Sequence, residues 1–191
     1  FVTITNVLSP YGYGVDVYQT VCLFLLCVFP TGHRLAFFPK EANKYTRSAQ
    51  MTGVRLLQLY LCLTYLSAGV EKALMNSWWD GSFIFYLLND PTVIYRPFLP
   101  LDLHYSFYML LGVKVICIES LYSLLVWIPR VRSLLVIMIL FMHLFIAYSM
   151  GLIFFGILLI GLNISCWYPV LYKDYRALFL PFFKPTLKYT T

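Results

Sequence analysis

Long apolar runs separated by short polar stretches make up most of this chain. The runs cover residues 13–29, 54–70 and 105–128, and a nearly uncharged tract follows from 133 to 168. A membrane-spanning helix needs roughly 20 residues, and in lipid every backbone polar group must be bonded internally. Each run therefore predicts a spanning α-helix, and the whole pattern predicts an all-α, polytopic membrane helix bundle.

The tract from 133 to 168 has two possible interpretations. As one straight helix it would run about 52 Å, which exceeds the roughly 40–45 Å of a bilayer with its headgroups. We divide it near Gly151 into two spans, 133–149 and 151–167. A single long tilted helix is the alternative. With the division, the sequence predicts about five spans.

Composition supports a membrane location and excludes two classes of protein. Of the 191 residues, 61% are hydrophobic and 12% are charged, against about half and about a quarter in soluble domains. A soluble globular fold and a disordered chain are both excluded. Residues 1–191 are predicted to form a single integral membrane domain in contact with the lipid bilayer. The chain begins at Phe1 instead of Met, so we expect a native N-terminal part to be missing.

The distribution of basic residues predicts the orientation in the membrane. Five lie between residues 30 and 55, Arg130 and Arg132 follow the third run, and four lie in the C-terminal tail. With five spans, all of them face the cytoplasm if the N-terminus is outside and the C-terminus cytoplasmic, as the positive-inside rule requires. The net charge of +6 is thus a topology signal, and no nucleic-acid partner is expected.

The segment 71–104 becomes the longest outer loop in this topology. It contains Trp78 and Trp79, whose amphipathic rings are expected at the level of the lipid headgroups. Residues 82–88 are aromatic and apolar but too few to cross the bilayer, which predicts an interfacial segment.

Three polar residues of the second span are candidates for chemistry. Gln58, Tyr65 and Lys72 follow one another at intervals of seven, which brings successive members to within about 20° on a helix. This face offers an amide, a phenol and, at its outer end, an amine. Ordinary helix packing through hydrogen bonds is the alternative, and Lys72 could also extend to the interface.

Charged residues inside the other runs are further candidates. Lys114 and Glu119 differ by about 140° on one helix, so each is expected to need a partner on another helix. We expect Glu119 to face the bundle interior, because a charge in the hydrocarbon costs roughly 2.5–3.5 kcal/mol or more. His143 lies midway along the fourth span, where it is a packing residue or a proton relay. His104 lies too near the surface to share a haem with it, and no metal site or haem is expected.

Residues 55–88 resemble the vitamin K-dependent gamma-carboxylase family and its bacterial relatives, the horizontally transferred transmembrane domain (HTTM) proteins. The shared elements are Gln58, the A-G-V-x-K sequence that ends at Lys72, and W-x-x-G from Trp78 to Gly81. Weaker similarity includes Glu119 followed by the P-R-x-R sequence at 129–132, and His143 followed by Gly151 and Phe155.

The resemblance implies a membrane enzyme in which Lys72 is a base and a vitamin K-like reduced quinone is the cofactor. It also favours a bacterial inner membrane over the endoplasmic reticulum. Gln58, Tyr65 and Asp16 would support Lys72; the ligand-binding candidates are Glu119, His143, Lys114, Trp78 and Trp79.

Glutamate carboxylation itself is not implied, because residues 13–16 hold no histidine where the carboxylase has one. Two hypotheses stay open. The first is a quinol- or lipid-dependent enzyme or maturation factor that modifies an extracytoplasmic substrate. The second is a non-catalytic accessory or scaffold subunit whose partners are other integral membrane proteins.

Overall fold

The computed structural model describes residues 14–29, 44–90 and 103–179, and within these ranges all regular secondary structure is helical. The helices are α1 (Gly14–Val28), α2 (Lys44–Ala73), α3 (Asn76–Trp79), α4 (Ser82–Asn89), α5 (Tyr105–Leu125), α6 (Pro129–Ser149) and α7 (Ile153–Phe179). The prediction of an all-α membrane bundle is confirmed. The start of the first predicted span at Tyr13 and residues 91–102 of the predicted outer loop lie outside the described residues.

Four of the described helices are long and apolar enough to cross a membrane. They contain the segments Tyr45–Ala73, Tyr105–Leu125, Pro129–Ser149 and Ile153–Tyr175. Helix α1 is also apolar, but its 15 residues fall below the roughly 17 that a crossing needs. The described helices therefore support four crossings, and the fifth stays a prediction.

Local sequence accounts for both ends of α6, including the break between α6 and α7. Pro129 occupies the first turn of α6, where its missing N–H costs no hydrogen bond. At the other end, Gly151 has a φ of 69°, a left-handed conformation that glycine adopts without strain after a helix C-terminus. The nearly uncharged tract is therefore two helices, divided where the sequence analysis divides it.

The helices pack as two principal pairs, α2 with α5 and α6 with α7. A larger core joins all four helices around Tyr65, Tyr122 and Trp167. A smaller core forms where α3 and α4 cover the first half of α5, with Trp78 and Ile84 buried there. Between these cores lies the cavity described next.

Candidate functional site

An ion pair between α2 and α5 forms one part of the candidate site. Lys72 Nζ donates to Glu119 Oε2 at 2.6 Å and also to the carbonyl oxygen of Ala68 at 3.3 Å. The ammonium lies 5.4 Å from the centroid of the Trp78 ring, within cation–π range. Glu119 is buried and the Lys72 side chain is 22% exposed. The expectation that Glu119 finds its partner on another helix is confirmed.

A close approach of the two helices makes this pair possible. A Cβ atom added at Gly69 would lie 2.4 Å from Ser120 Oγ and 2.6 Å from the Ser120 backbone nitrogen. Only a residue without a side chain lets α2 and α5 touch here, as small residues do at many membrane helix contacts. Because Gly69 and Ser120 adjoin the pair in sequence, this contact sets the separation of Lys72 and Glu119.

The pair lines a cavity of about 630 Å³. This volume lies within the roughly 300–1,000 Å³ typical of sites for small organic ligands. Apolar side chains from α4 to α7 form most of its wall, and the residues with polar groups are Tyr18, Thr64, Tyr65, Lys72, Trp78, Lys114, Glu119 and His143. An apolar chamber with a few polar groups suits an amphiphile with a small polar part.

A buried hydrogen-bond chain leads to this cavity from the larger core. Trp167 Nε1 donates to the Tyr122 hydroxyl oxygen at 2.7 Å, and the Tyr122 hydroxyl donates to Asn163 Oδ1 at 2.6 Å. Asn163 Nδ2 then donates to the carbonyl oxygen of Leu159 and to the Tyr65 hydroxyl oxygen, both at 2.8 Å. Since these bonds use both amide hydrogens, the orientation of the Asn163 side chain is fixed.

The same chain determines the state of His143. Because Asn163 donates to the Tyr65 oxygen, the Tyr65 hydrogen is available for His143 Nε2, which lies 3.1 Å away. With Tyr65 as the donor, Nε2 is the acceptor and the imidazole hydrogen is on Nδ1. Nδ1 is buried and has no hydrogen-bond partner among the described residues, while the ring stacks on Phe155. The bond from Asn163 to Tyr65 thus favours the tautomer in which His143 Nδ1 carries the hydrogen.

Lys114 differs from Lys72 in having no compensating charge. It is exposed near the middle of α5, contributes to the cavity wall, and makes no ion pair with a described residue. The expectation that it pairs with another helix is not met within the described part of the chain. A charge at that depth costs roughly 2.5–3.5 kcal/mol on insertion scales, so its position calls for a functional explanation.

Two residues expected to support Lys72 lie away from the cavity. Gln58 is fully buried, but its Nε2 donates to the Cys166 carbonyl oxygen at 2.8 Å and its Oε1 accepts from Arg55 at 2.9 Å. Its amide therefore links α2 to α7 and is not part of the cavity wall. Asp16 is half-buried near the start of α1 and also lies outside the wall.

The two adjacent tryptophans separate. Trp78 is buried in the wall of the cavity, whereas Trp79 is 45% exposed and donates from Nε1 to the Ala73 carbonyl oxygen at 2.7 Å. Trp78 is therefore enclosed by protein, and the headgroup level of the two rings stays a prediction. Next to them, hydrogen bonding by Ser82 lowers the pKa of Asp80, and Gly81 makes the turn with a φ of 81°.

Sequence reasoning missed two buried groups. Asn163 is a lone amide in the predicted span 151–167, and its polarity was the available signal. Arg132, assigned to a loop, is buried: its Nε donates to the Val126 carbonyl at 2.7 Å and its Nη2 to the Trp127 carbonyl at 2.9 Å. Its Nη1 pairs with Asp174 of α7. Nothing in the spacing of Arg132 and Asp174 predicts that they meet.

No protein-family model, curated protein or solved structure matches this chain. The resemblance to the carboxylase family therefore stays a prediction. Within the described ranges, no group of three or more His, Cys, Asp and Glu side chains is placed to hold a metal ion.

Proposed function

We propose that the chain is an integral membrane enzyme or maturation factor that binds an amphiphile in the cavity and uses Lys72 as a base. The observation that carries this proposal is the Lys72–Glu119 ion pair in the wall of a largely apolar chamber. An ion pair that only joined two helices would need no adjoining space for a ligand. Here the amine and the carboxylate both contribute to the cavity surface.

The pair has a simple route to a basic amine. Transfer of one proton from Lys72 Nζ to Glu119 across their 2.6 Å hydrogen bond gives an amine and a carboxylic acid, both uncharged. Apolar surroundings favour neutral forms over separated charges. The amine can then take a proton from a ligand hydroxyl and become an ammonium. Glu119 is in this scheme the group that holds the proton of Lys72.

A reduced quinone fits the residues that are present. The apolar walls suit its ring and tail, and Tyr65, His143 and Lys72 offer polar contacts to its oxygens. When bound, such a cofactor would supply an acidic hydroxyl and reducing equivalents. The resemblance to the carboxylase family supports this choice.

Replacement of Lys72 tests the proposal. We expect the purified protein to oxidise menaquinol-4 with oxygen as the oxidant at a rate above that of a sample without protein, and we expect Lys72→Ala to abolish this extra consumption. Because Lys72→Ala leaves Glu119 buried and unpaired, Lys72→Arg is the sharper variant. It keeps a cation beside Glu119 but cannot provide a neutral base, since arginine stays protonated.

The matched control is Lys173→Ala, which removes an exposed lysine of α7 that does not line the cavity. It should consume menaquinol-4 like the unaltered protein. Undiminished consumption by Lys72→Arg, or none by the unaltered protein, contradicts the proposal. In the second case, recovery of other membrane subunits in fixed stoichiometry would favour the accessory-subunit hypothesis.

A further inference from the structure

We propose that the cavity takes a second ligand besides the reduced quinone, an amphiphile with one negative charge, and that its anionic group pairs with Lys114. This inference rests on the cavity of the proposed function and adds the chemical class of this second molecule. Neither the ion pair nor the resemblance to the carboxylase family requires an anion. The net positive charge of the cavity wall is the feature that calls for an anion.

Three charged side chains contribute to the wall. Lys72 and Glu119 neutralise each other at 2.6 Å, which leaves the positive charge of Lys114 without a counter-charge among the described residues. A cation in apolar surroundings is stabilised by an opposite charge that arrives with the ligand. The wall therefore complements a ligand with a single negative charge.

The depth of Lys114 argues against a lysine that merely reaches the aqueous interface. It lies nine residues from the start of α5, which is about 14 Å along the helix axis. This is more than its four-carbon stem spans. This depth along the helix favours an anionic group that is carried by a molecule with an apolar body.

The remaining walls suit such a body. Beside the polar groups, α6 contributes Met138, Phe141 and Met142 to the cavity surface. Methionine side chains are flexible and adapt to irregular apolar shapes. Phe141 is also exposed on the outside of the bundle, so this wall adjoins the lipid from which an amphiphile would enter.

Binding of matched probes to the purified full chain in dodecylmaltoside tests the inference. Radiolabelled oleate should bind saturably, and oleyl alcohol, which has the same chain without the charge, should displace it at least about tenfold less well. Lys114→Gln should weaken oleate binding by about tenfold or more, and Lys114→Arg should restore most of it. Lys173→Gln, the matched loss of an exposed lysine away from the cavity, should bind oleate normally.

Displacement by 1-oleoyl-lysophosphatidylglycerol identifies the source of the charge. Displacement better than that by unlabelled oleate assigns the site to a phosphate ester, and weaker displacement assigns it to a carboxylate; each outcome supports an anionic ligand.

Three outcomes overturn the inference. They are equal affinity for oleate and oleyl alcohol, unchanged oleate binding by Lys114→Gln, and no saturable binding of either anion. Consumption of menaquinol-4 without a preference for anions refutes this inference alone. A Lys114-dependent preference without such consumption refutes only the proposed enzyme.

Discussion

Among the residues that the structure describes, two ion pairs between helices lie in contrasting surroundings. Arg132 of α6 pairs with Asp174 of α7, donates to two backbone carbonyl oxygens, and lies 5.8 Å from the Trp167 ring centroid. Lys72 of α2 pairs with Glu119 of α5, but both of these side chains line a cavity. The guanidinium of the first pair is buried away from the cavity, although the Asp174 side chain is 19% exposed, and the second pair faces a space that a ligand can fill.

The difference indicates which buried charge is structural. Each of the three Arg132 nitrogens donates to an acceptor within the protein, so this guanidinium is bound to α7 and to the connection between α5 and α6. Around the cavity, His143 Nδ1 lacks a partner and Lys114 lacks a counter-charge within the described residues. Since such groups are costly when buried or in lipid, polar groups with bonding capacity left over mark the functional region.

The largest expected effect on stability comes from breaking the Arg132–Asp174 pair. Arg132→Ala leaves the Asp174 carboxylate and two carbonyl oxygens without their donor, and removal of one partner of a buried pair costs about 3–5 kcal/mol. We expect a marked loss of thermal stability, measured by size-exclusion chromatography of heated detergent extracts. Arg130→Ala, an exposed control two residues away, should have the same thermal stability as the unaltered protein. Equal melting of the two variants would mean that Arg132 is not a structural residue.

A smaller effect is expected from forcing apart α2 and α5 at the cavity. In Gly69→Val the new side chain overlaps Ser120, and overpacking of this kind costs about 1–3 kcal/mol. The same shift lengthens the Lys72–Glu119 contact. The rate of menaquinol-4 consumption should therefore fall even at temperatures where the variant is still folded. Gly161→Val is the control, because nothing lies within 4 Å of a Cβ at that position. If both variants behave alike, the close contact at Gly69 does not set the geometry of the pair.

Hydrophobic patterning was sufficient to predict the fold class and the division of the long apolar tract, because in lipid an apolar run has few alternatives to a helix. Periodicity also predicted that Glu119 faces inward. It could not predict that Gln58 bonds to Cys166 while Lys72 bonds to Glu119, since one helical face can meet several neighbours. The pairing of Arg132 with Asp174 depends on how α6 and α7 pack, which composition does not encode.

The smallest expected effect concerns the hydrogen-bond chain that connects the larger core to the cavity. Tyr65→Phe removes the donor to His143 Nε2 and the acceptor of one Asn163 hydrogen, at a cost of about 1 kcal/mol. The informative readout is the imidazole tautomer, measured by ¹⁵N NMR of a chain that contains only three histidines. In the unaltered protein the His143 hydrogen should be on Nδ1, and in Tyr65→Phe this preference should be lost.

The NMR signals of His104 provide the internal control. Its Nδ1 accepts from the backbone N–H of Ser106 at the start of α5, and His104 is not part of the hydrogen-bond chain that contains His143. They should be the same in both proteins. A hydrogen on Nε2 of His143 in the unaltered protein would contradict the bond from Tyr65. His143 Nδ1 would then no longer be a hydrogen-bond donor without a partner beside the cavity. The cavity would in that respect no longer differ from the surroundings of the Arg132–Asp174 pair.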